Sequence, residues 1–421
     1  MATIVQKYGG SSVADAEKIR NVARRIADTF DKGNKVVAVV SAMGDTTDDL
    51  IELASRITKN PEPREMDLLL STGEIVSSTL LAMALHDMGY KAIALSGPQA
   101  GISTDSSFSR ARITGIEPKR VVKELDKGNI VIVAGFQGLT SDNDIATLGR
   151  GGSDTTAVAL AASLKAKVCE IYTDVEGVYT ADPRIVPDAV KLDEIGYEEM
   201  LEMATSGARV MHNRSIELGQ VYNMPMLVAS SLVNQPGTLI HGGKNMEARN
   251  KVRGIAHDLD VAKITITGVP DKPGIAAAIF SPLAQAGISV DTIVQNASAN
   301  SITDLTFTIV KNDLARAMEI IKPVAKKIEA RECISDSRLG KVSIIGTGMQ
   351  NTPGYAAKMF ETLSGQGINI LLITTSEIRI TCIIAEDKVK DAVRALHKAF
   401  QLDKGYKVGG AVANIKPRLP L

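Results

Sequence analysis

Hydrophobic positions in the first 240 or so residues follow two alternating rhythms. Short β-branched runs fall at residues 3–6, 36–40, 93–95, 130–134, 168–172 and 226–229, and each reads as a strand. Between them, apolar residues return at helical spacing over residues 15–29, 48–57, 64–88, 153–164 and 208–221. Strands that are apolar on both faces and separated by helices predict a mostly parallel sheet covered on both sides. In such sheets ligands sit beyond the carboxyl ends of the strands, so a motif counts for more when it directly follows one.

The Gly-, Asn- and charge-rich stretch 235–251 breaks the pattern and reads as a boundary. Beyond it the chain repeats itself. Pro273-Gly274, Phe280, Leu283, Gly287-Ile288 and Ile293 return as Pro353-Gly354, Phe360, Leu363, Gly367-Ile368 and Ile373, a shift of 353 − 273 = 80 residues. Each copy reads as a ferredoxin-like βαββαβ unit whose uncovered sheet face and edges favour packing two copies together. The expected organisation is a large α/β region over 1–245, a linker with a first strand over 246–262, and the two repeats over 263–338 and 339–421.

Composition narrows the partners. Lys plus Arg and Asp plus Glu are 48 each, so no basic excess favours nucleic acid. Three widely spaced cysteines, Cys169, Cys333 and Cys382, suit reduced thiols in a cytoplasmic protein. Neither a signal segment nor an apolar run approaching the ~18 residues of a membrane span is expected. The five histidines form no H-x-x-x-H pair and C-x-x-C is absent, giving a zinc site little support.

Candidate chemistry gathers at strand ends. KYGGSS, residues 7–12, follows the first strand and opens towards the first helix; it reads as a phosphate cradle with Lys7 as a point charge, or as an ordinary βα turn. Ser41-Ala42-Met43-Gly44 and Asp45-Thr46-Thr47 follow the second strand. In TLGRGGSDTTA, residues 147–157, Arg150 stands among glycines, suited to gripping a carboxylate bidentately, and Ser153 or Asp154 is a natural N-cap for the next helix. Thr173-Asp174 end the fifth strand, and Asp182 and Arg184 follow in GVYTADPR, as nucleotide ligands or as a mutual surface pair. Glu74, in LLLSTGE, could meet an ammonium group or be a solvated helix position. Glycine loops, hydroxyls, Lys, Arg and acids at one end of one sheet are the inventory of phosphoryl transfer. G-x-G-x-x-G, the P-loop and the protein-kinase signatures are absent.

Taken in order, VQKYGGSS, VVSAMGDTTD, STGE, VAGFQG, TLGRGGSDTTA, IYTDVEGVYTADPR and EEMLEMA resemble the aspartate kinases of the amino-acid kinase superfamily, across essentially the whole chain. The resemblance implies an α/β/α sandwich followed by two ACT domains. It implies an enzyme that transfers phosphoryl from ATP, with Mg²⁺ on the ATP phosphates and no protein metal site, to the side-chain carboxylate of aspartate. Lys7, Tyr8, Gly9, Gly10 and Ser41 would lie along the nucleotide, with Thr173, Asp174, Tyr179, Asp182 and Arg184. Thr47, Glu74, Arg150, Gly151, Gly152 and Ser153 would hold aspartate, and Asp154 would orient Lys7. Arg209 stands in GARVMH where the family usually has Lys.

The repeats would bind lysine, alone or together with threonine, as end-product effectors and join copies of the chain into an oligomer. Candidate effector residues are Asp271, Gly274, Ile275, Ala276, Ser289, Gln295 and Asn296 in copy one and Asn369, Ile370, Ser376 and Glu377 in copy two, the last four on its second strand. Ser289 stands where copy two has Asn369, so the two sites differ. Met246 could start a separate regulatory subunit.

Overall fold

In a computed structural model that describes residues 1–208, 210–242, 252–296, 302–347, 349 and 352–404, the six expected strands form the heart of an eight-stranded sheet. Its order is Glu194–Gly196, Thr238–His241, Met226–Ser230, Val168–Thr173, Thr3–Tyr8, Lys35–Val40, Ile130–Ala134 and Ala92–Leu95. Only the pair Met226–Ser230 with Thr238–His241 is antiparallel. Strand parity then sorts the side chains. Tyr8, Val36, Ala38 and Val40 join the apolar layer under the helices Ala16–Asp31 and Pro63–Asp87. Lys7, one residue from Tyr8, points to the other face, where the almost fully buried helix Gly152–Ser163 packs on the first, second and fifth of the expected strands.

The chain divides into two compact units that do not follow the linear boundaries expected. The first holds Met1–Tyr179, Lys191–Thr205 and Arg209–Asn245; the second holds Thr180–Val190, Ser206–Ala208 and Met246–Leu421. The segment Thr180–Val190, expected within the 1–245 region, thus belongs to the second unit, where Ala181, Ile185 and Val186 enter an apolar cluster with Val389, Val393 and Leu396.

Both repeats in the second unit are four-stranded antiparallel sheets. Copy one is contiguous, with sheet order Thr292–Gln295, Ile302–Ile309, Ala262–Pro270, Glu332–Asp336. Copy two is not. Its fourth strand is Gly254–Asp258, which pairs antiparallel with Leu339–Ile345, so copy one is inserted inside copy two. The strand expected within 246–262 is therefore the closing strand of the later repeat. Met246 lies outside the described residues.

Other expectations change. The helix expected over 208–221 is shorter, Asn213–Val221, and a separate helix, Tyr197–Thr205, precedes it where none was expected. A second small sheet, Ile113–Ile116, Ile102–Thr104, Gln137–Leu139 and Ile145–Thr147, had no sequence signal beyond three- or four-residue runs. An apolar run of membrane-spanning length does exist: Pro63–Asp87 passes by length and composition. Half of its apolar window is buried inside the fold, and it carries the buried acids Asp67 and Glu74, as a core helix of an enzyme can. Cys169 and Cys382 are buried and Cys333 is half-buried, all three as free thiols.

Candidate active site

Lys7 is the next-to-last residue of its strand rather than part of the loop after it. Hydrogen-bonded neighbours on both sides fix its backbone, in register with Val39 and Ile171. Its ammonium lies 2.6 Å from Asp154 Oδ1, and both side chains are nearly enclosed, 11% and 13% exposed. Asp154 is in the first turn of Gly152–Ser163, so the pair stands at the positive end of a helix. The expected N-cap is corrected: Gly151, not Ser153 or Asp154, caps this helix in the left-handed conformation (φ 69°). A Cβ at Gly151 would fall 2.3 Å from the His212 side chain, so glycine is required there twice over. Ser153 is buried two residues further on, against Gly135.

Gly9 and Gly10 do not open the first helix. They lead into a short 3₁₀ turn, Gly10–Ser12, ahead of Ala16–Asp31. Gly10 lets two loops touch: its carbonyl accepts from Gly44 N at 3.1 Å, and a Cβ would lie 2.8 Å from the Ala42 carbonyl. The Tyr8 side chain faces the core, which leaves only its main chain for a nucleotide. Its ring is fully buried, stacked on Tyr172 at 5.0 Å, and its hydroxyl donates to Gln6 Oε1 at 3.2 Å, so it is core.

The loop after the second strand is docked on Pro63–Asp87. Ser77 Oγ donates to the Ser41 carbonyl at 2.7 Å, and Ala42 N donates to Glu74 Oε1 at 3.2 Å. Glu74 is 3% exposed, and its other oxygen, Oε2, has no hydrogen-bond partner. Burial pushes its pKa up to about 7 against the pull of the backbone N–H groups. Gln137, from VAGFQG, is fully buried; its amide nitrogen donates to the Ser71 carbonyl at 2.9 Å, one helical turn before Glu74, and its Oε1 is also unpartnered. A buried carboxylate oxygen without a donor, as on Glu74, is suited to a cation. Thr47 is half-buried in the first turn of Thr46–Ile57.

Arg150 is exposed at the tip of its glycine loop. Two residues that sequence reading missed hold that loop from beneath. The fully buried Asp67 carboxylate accepts from the N–H and hydroxyl of both Ser109 and Thr147, at 2.7–3.3 Å. Arg214 donates to the carbonyls of Leu148 at 2.6 Å and Ala111 at 3.0 Å.

The remaining nucleotide candidates divide between the units. Thr173, Asp174 and Tyr179 are in the first; Thr173 Oγ1 donates to Asp174 at 3.0 Å, and Tyr179 bridges to Lys191. Asp182 and Arg184 are in the second and pair with each other: the guanidinium grips the carboxylate bidentately, at 2.8 Å from Nη2 and 3.0 Å from Nε, and Arg184 N adds a third bond at 2.9 Å. That grip lowers the Asp182 pKa. Arg209 lies outside the described residues.

In the repeats, Asp271, Gly274, Ala276, Ser289, Gln295, Asn296, Asn369, Ser376 and Glu377 are exposed, with Ile275 and Ile370 half-buried. The second strand of copy two is Leu372–Thr375, so Asn369-Ile370 precede it and Ser376-Glu377 follow it rather than lying on it. Gln295 ends the corresponding strand of copy one and Asn296 follows it.

Comparison with known proteins finds matches over nearly the whole chain. The amino acid kinase family profile matches residues 2–230, and ACT domain profiles match 263–325 and 342–400. An aspartokinase of Mycolicibacterium smegmatis is 50% identical over 96% of this chain and 97% of its own length. One of Corynebacterium glutamicum is 51% identical with the same coverage. Among solved structures, the aspartate kinase of Synechocystis is 43% identical, with a TM-score of 0.54, covering 94% of this chain and 69% of that one. Aspartokinase III of E. coli, solved with lysine and aspartate in its T-state, is 25% identical, with a TM-score of 0.71 over 94% and 99% of the two chains.

Proposed function

The chain belongs to the aspartokinases of the amino acid kinase family, and from that premise we propose how its residues divide the work of ATP + L-aspartate → ADP + 4-phospho-L-aspartate. The reaction opens the route to lysine, threonine and methionine. The nucleophile is the β-carboxylate of aspartate, already ionised at neutral pH, so no general base is needed. What remains is alignment and charge.

Lys7, with Gly9 and Gly10, takes the transferred phosphoryl group, and Asp154 holds Lys7 in place as a positioning partner. Arg150 grips the α-carboxylate, with Thr47, Gly151, Gly152 and Ser153 around it. Glu74 takes the ammonium group. The observation that carries this reading is the Glu74 Oε2 atom, buried and without a donor. Ser41, Thr173, Asp174, Tyr179, Asp182, Arg184 and Arg209 serve the nucleotide. Among the described residues no group of three or more His, Cys, Asp or Glu converges as a metal cage, and Mg²⁺ typically rides on phosphate oxygens with one or two carboxylates. Mg²⁺ would thus arrive with ATP and neutralise phosphate charge.

Arg150→Ala tests the aspartate side. Trapping the acyl phosphate with hydroxylamine, the variant is expected to raise the aspartate KM by about a hundredfold and the ATP KM less than about threefold. Equal rises in both would remove Arg150 from the substrate.

The repeats serve as the sensor. We assign them lysine, alone or together with threonine, through the exposed residues around Pro273-Gly274 and Pro353-Gly354, and place oligomerisation there too; the enzyme is assigned to the cytoplasm. An inhibition matrix of lysine against threonine is expected to show a coupling of roughly 1–3 kcal/mol, that is about 5- to 150-fold in apparent affinity. Activity indifferent to both amino acids, alone and together, would end the sensor assignment.

A further inference from the structure

We infer that His397 and Arg394, on the last helix of the second repeat, are positioning residues for the nucleotide. They hold the short turn Asp182-Pro183-Arg184 at both of its ends. Before the turn stands Thr180, 5% exposed, whose hydroxyl meets His397 Nε2 at 2.9 Å and accepts from Val190 N at 2.9 Å. Its carbonyl accepts from Ile255 N at 2.7 Å, on the strand that closes copy two. After the turn stands Ile185, whose carbonyl accepts from Arg394 Nε at 3.0 Å. Between these anchors, Ile185 N and Val186 N return to the Asp182 carbonyl at 2.9 Å each.

The anchoring helix, Val389–Ala399, is a structural element of the second repeat, and His397 within it is 2% exposed. Ala181, Ile185 and Val186 bury their side chains in the same apolar cluster as Val389, Val393 and Leu396. A segment whose motif resembles a nucleotide loop therefore has its conformation set by the repeat that would sense the end product. A solvated loop would need neither a buried hydroxyl–imidazole bond nor a guanidinium on its main chain. Burial holds the His397 imidazole below its usual pKa, and the neutral ring can either donate to or accept from the Thr180 hydroxyl.

This inference rests on the reading of Asp182 and Arg184 as nucleotide residues, so the experiment tests both separately. Thr180→Val keeps the shape and removes the hydroxyl; Thr180→Ser restores it; Arg394→Met removes the second anchor from a side chain that is 56% exposed and so tolerates change. Asp182→Ala reports on the underlying reading. In the full-length enzyme, Thr180→Val and Arg394→Met are each expected to raise the ATP KM by about tenfold, with aspartate KM within about twofold and Thr180→Ser near wild type. Asp182→Ala raises the ATP KM as well. An unchanged ATP KM in Asp182→Ala defeats the nucleotide reading itself. A raised ATP KM in Asp182→Ala alone, with Thr180→Val and Arg394→Met unaffected, overturns the inference, as does a parallel rise in aspartate KM. Should Thr180→Val fail to fold, Arg394→Met carries the same decision.

Discussion

Lys7→Ala is expected to lower kcat by about a thousandfold, because charge held in place on the transferring phosphoryl group supplies most of this chemistry. The ammonium is held on a strand with neighbours on both sides and is paired to Asp154 at 2.6 Å. Removing it also leaves Asp154, 13% exposed, facing incoming phosphate with no cation between them. The same loss should cost about 3 kcal/mol of stability, since an unpaired carboxylate in a nearly enclosed place is expensive. A second substitution separates the two effects. Lys7→Ala with Asp154→Ala should recover most of the stability, read from the urea midpoint, and none of the turnover. A Lys7→Ala enzyme within tenfold of wild-type kcat would leave Lys7 a structural ion pair.

The position of Lys7 illustrates what a sequence can reveal. Its strand is an apolar run, and period-two alternation puts Tyr8 and Lys7 on opposite faces. Such parity also marks Tyr8 for the layer under Ala16–Asp31, which the family motif, read as a string, assigned to the nucleotide. Where motif and parity disagree about a side chain, the parity reflects which face is buried. Loops after strands stand out in the sequence because glycine, hydroxyl and charge collect there, although Gly10 and Gly151 also serve close packing.

Other features depend on partners far away in sequence. Asp67 lies inside an apolar helical run and would pass for a tolerated polar residue, yet its four donors come from residues 42 and 80 positions on. Arg214 reaches a carbonyl 66 positions back. Neither has a local signature. Assignment of Thr180–Val190 to the second unit is similarly silent: no composition shift separates Tyr179 from Thr180, and only Ile185-Val186, two buried apolar residues in an apparent loop, hints at it. The closing strand of copy two is hidden for a topological reason, since it precedes copy one in the chain while the other elements of the two copies recur in the same order.

Glu74→Gln is expected to raise stability and weaken aspartate binding together. Glu74 is 3% exposed with a pKa of about 7, raised by burial from an ordinary value of 4.5. Below about pH 4.5 the group is protonated in folded and unfolded chains alike and contributes no penalty. Between pH 4.5 and 7 the unfolded chain releases the proton while the folded chain keeps it, so stability falls with rising pH. Above that window the loss levels off at on the order of 3 kcal/mol in the absence of substrate. The amide carries no charge to bury. Glu74→Gln should therefore match wild type near pH 4 and exceed it at pH 8, as read by denaturant titration. Its aspartate KM should rise by about a hundredfold, because the ammonium loses its counter-charge in an enclosed site. In the wild type the same balance predicts an aspartate KM that climbs as pH drops from 8 to 6, while the ATP KM stays level; Glu74→Gln should abolish that slope. A variant that is less stable at pH 8 and binds aspartate normally would show instead that Glu74 serves the Ala42 loop, and the unpartnered oxygen would then mark a strained core rather than a substrate's place.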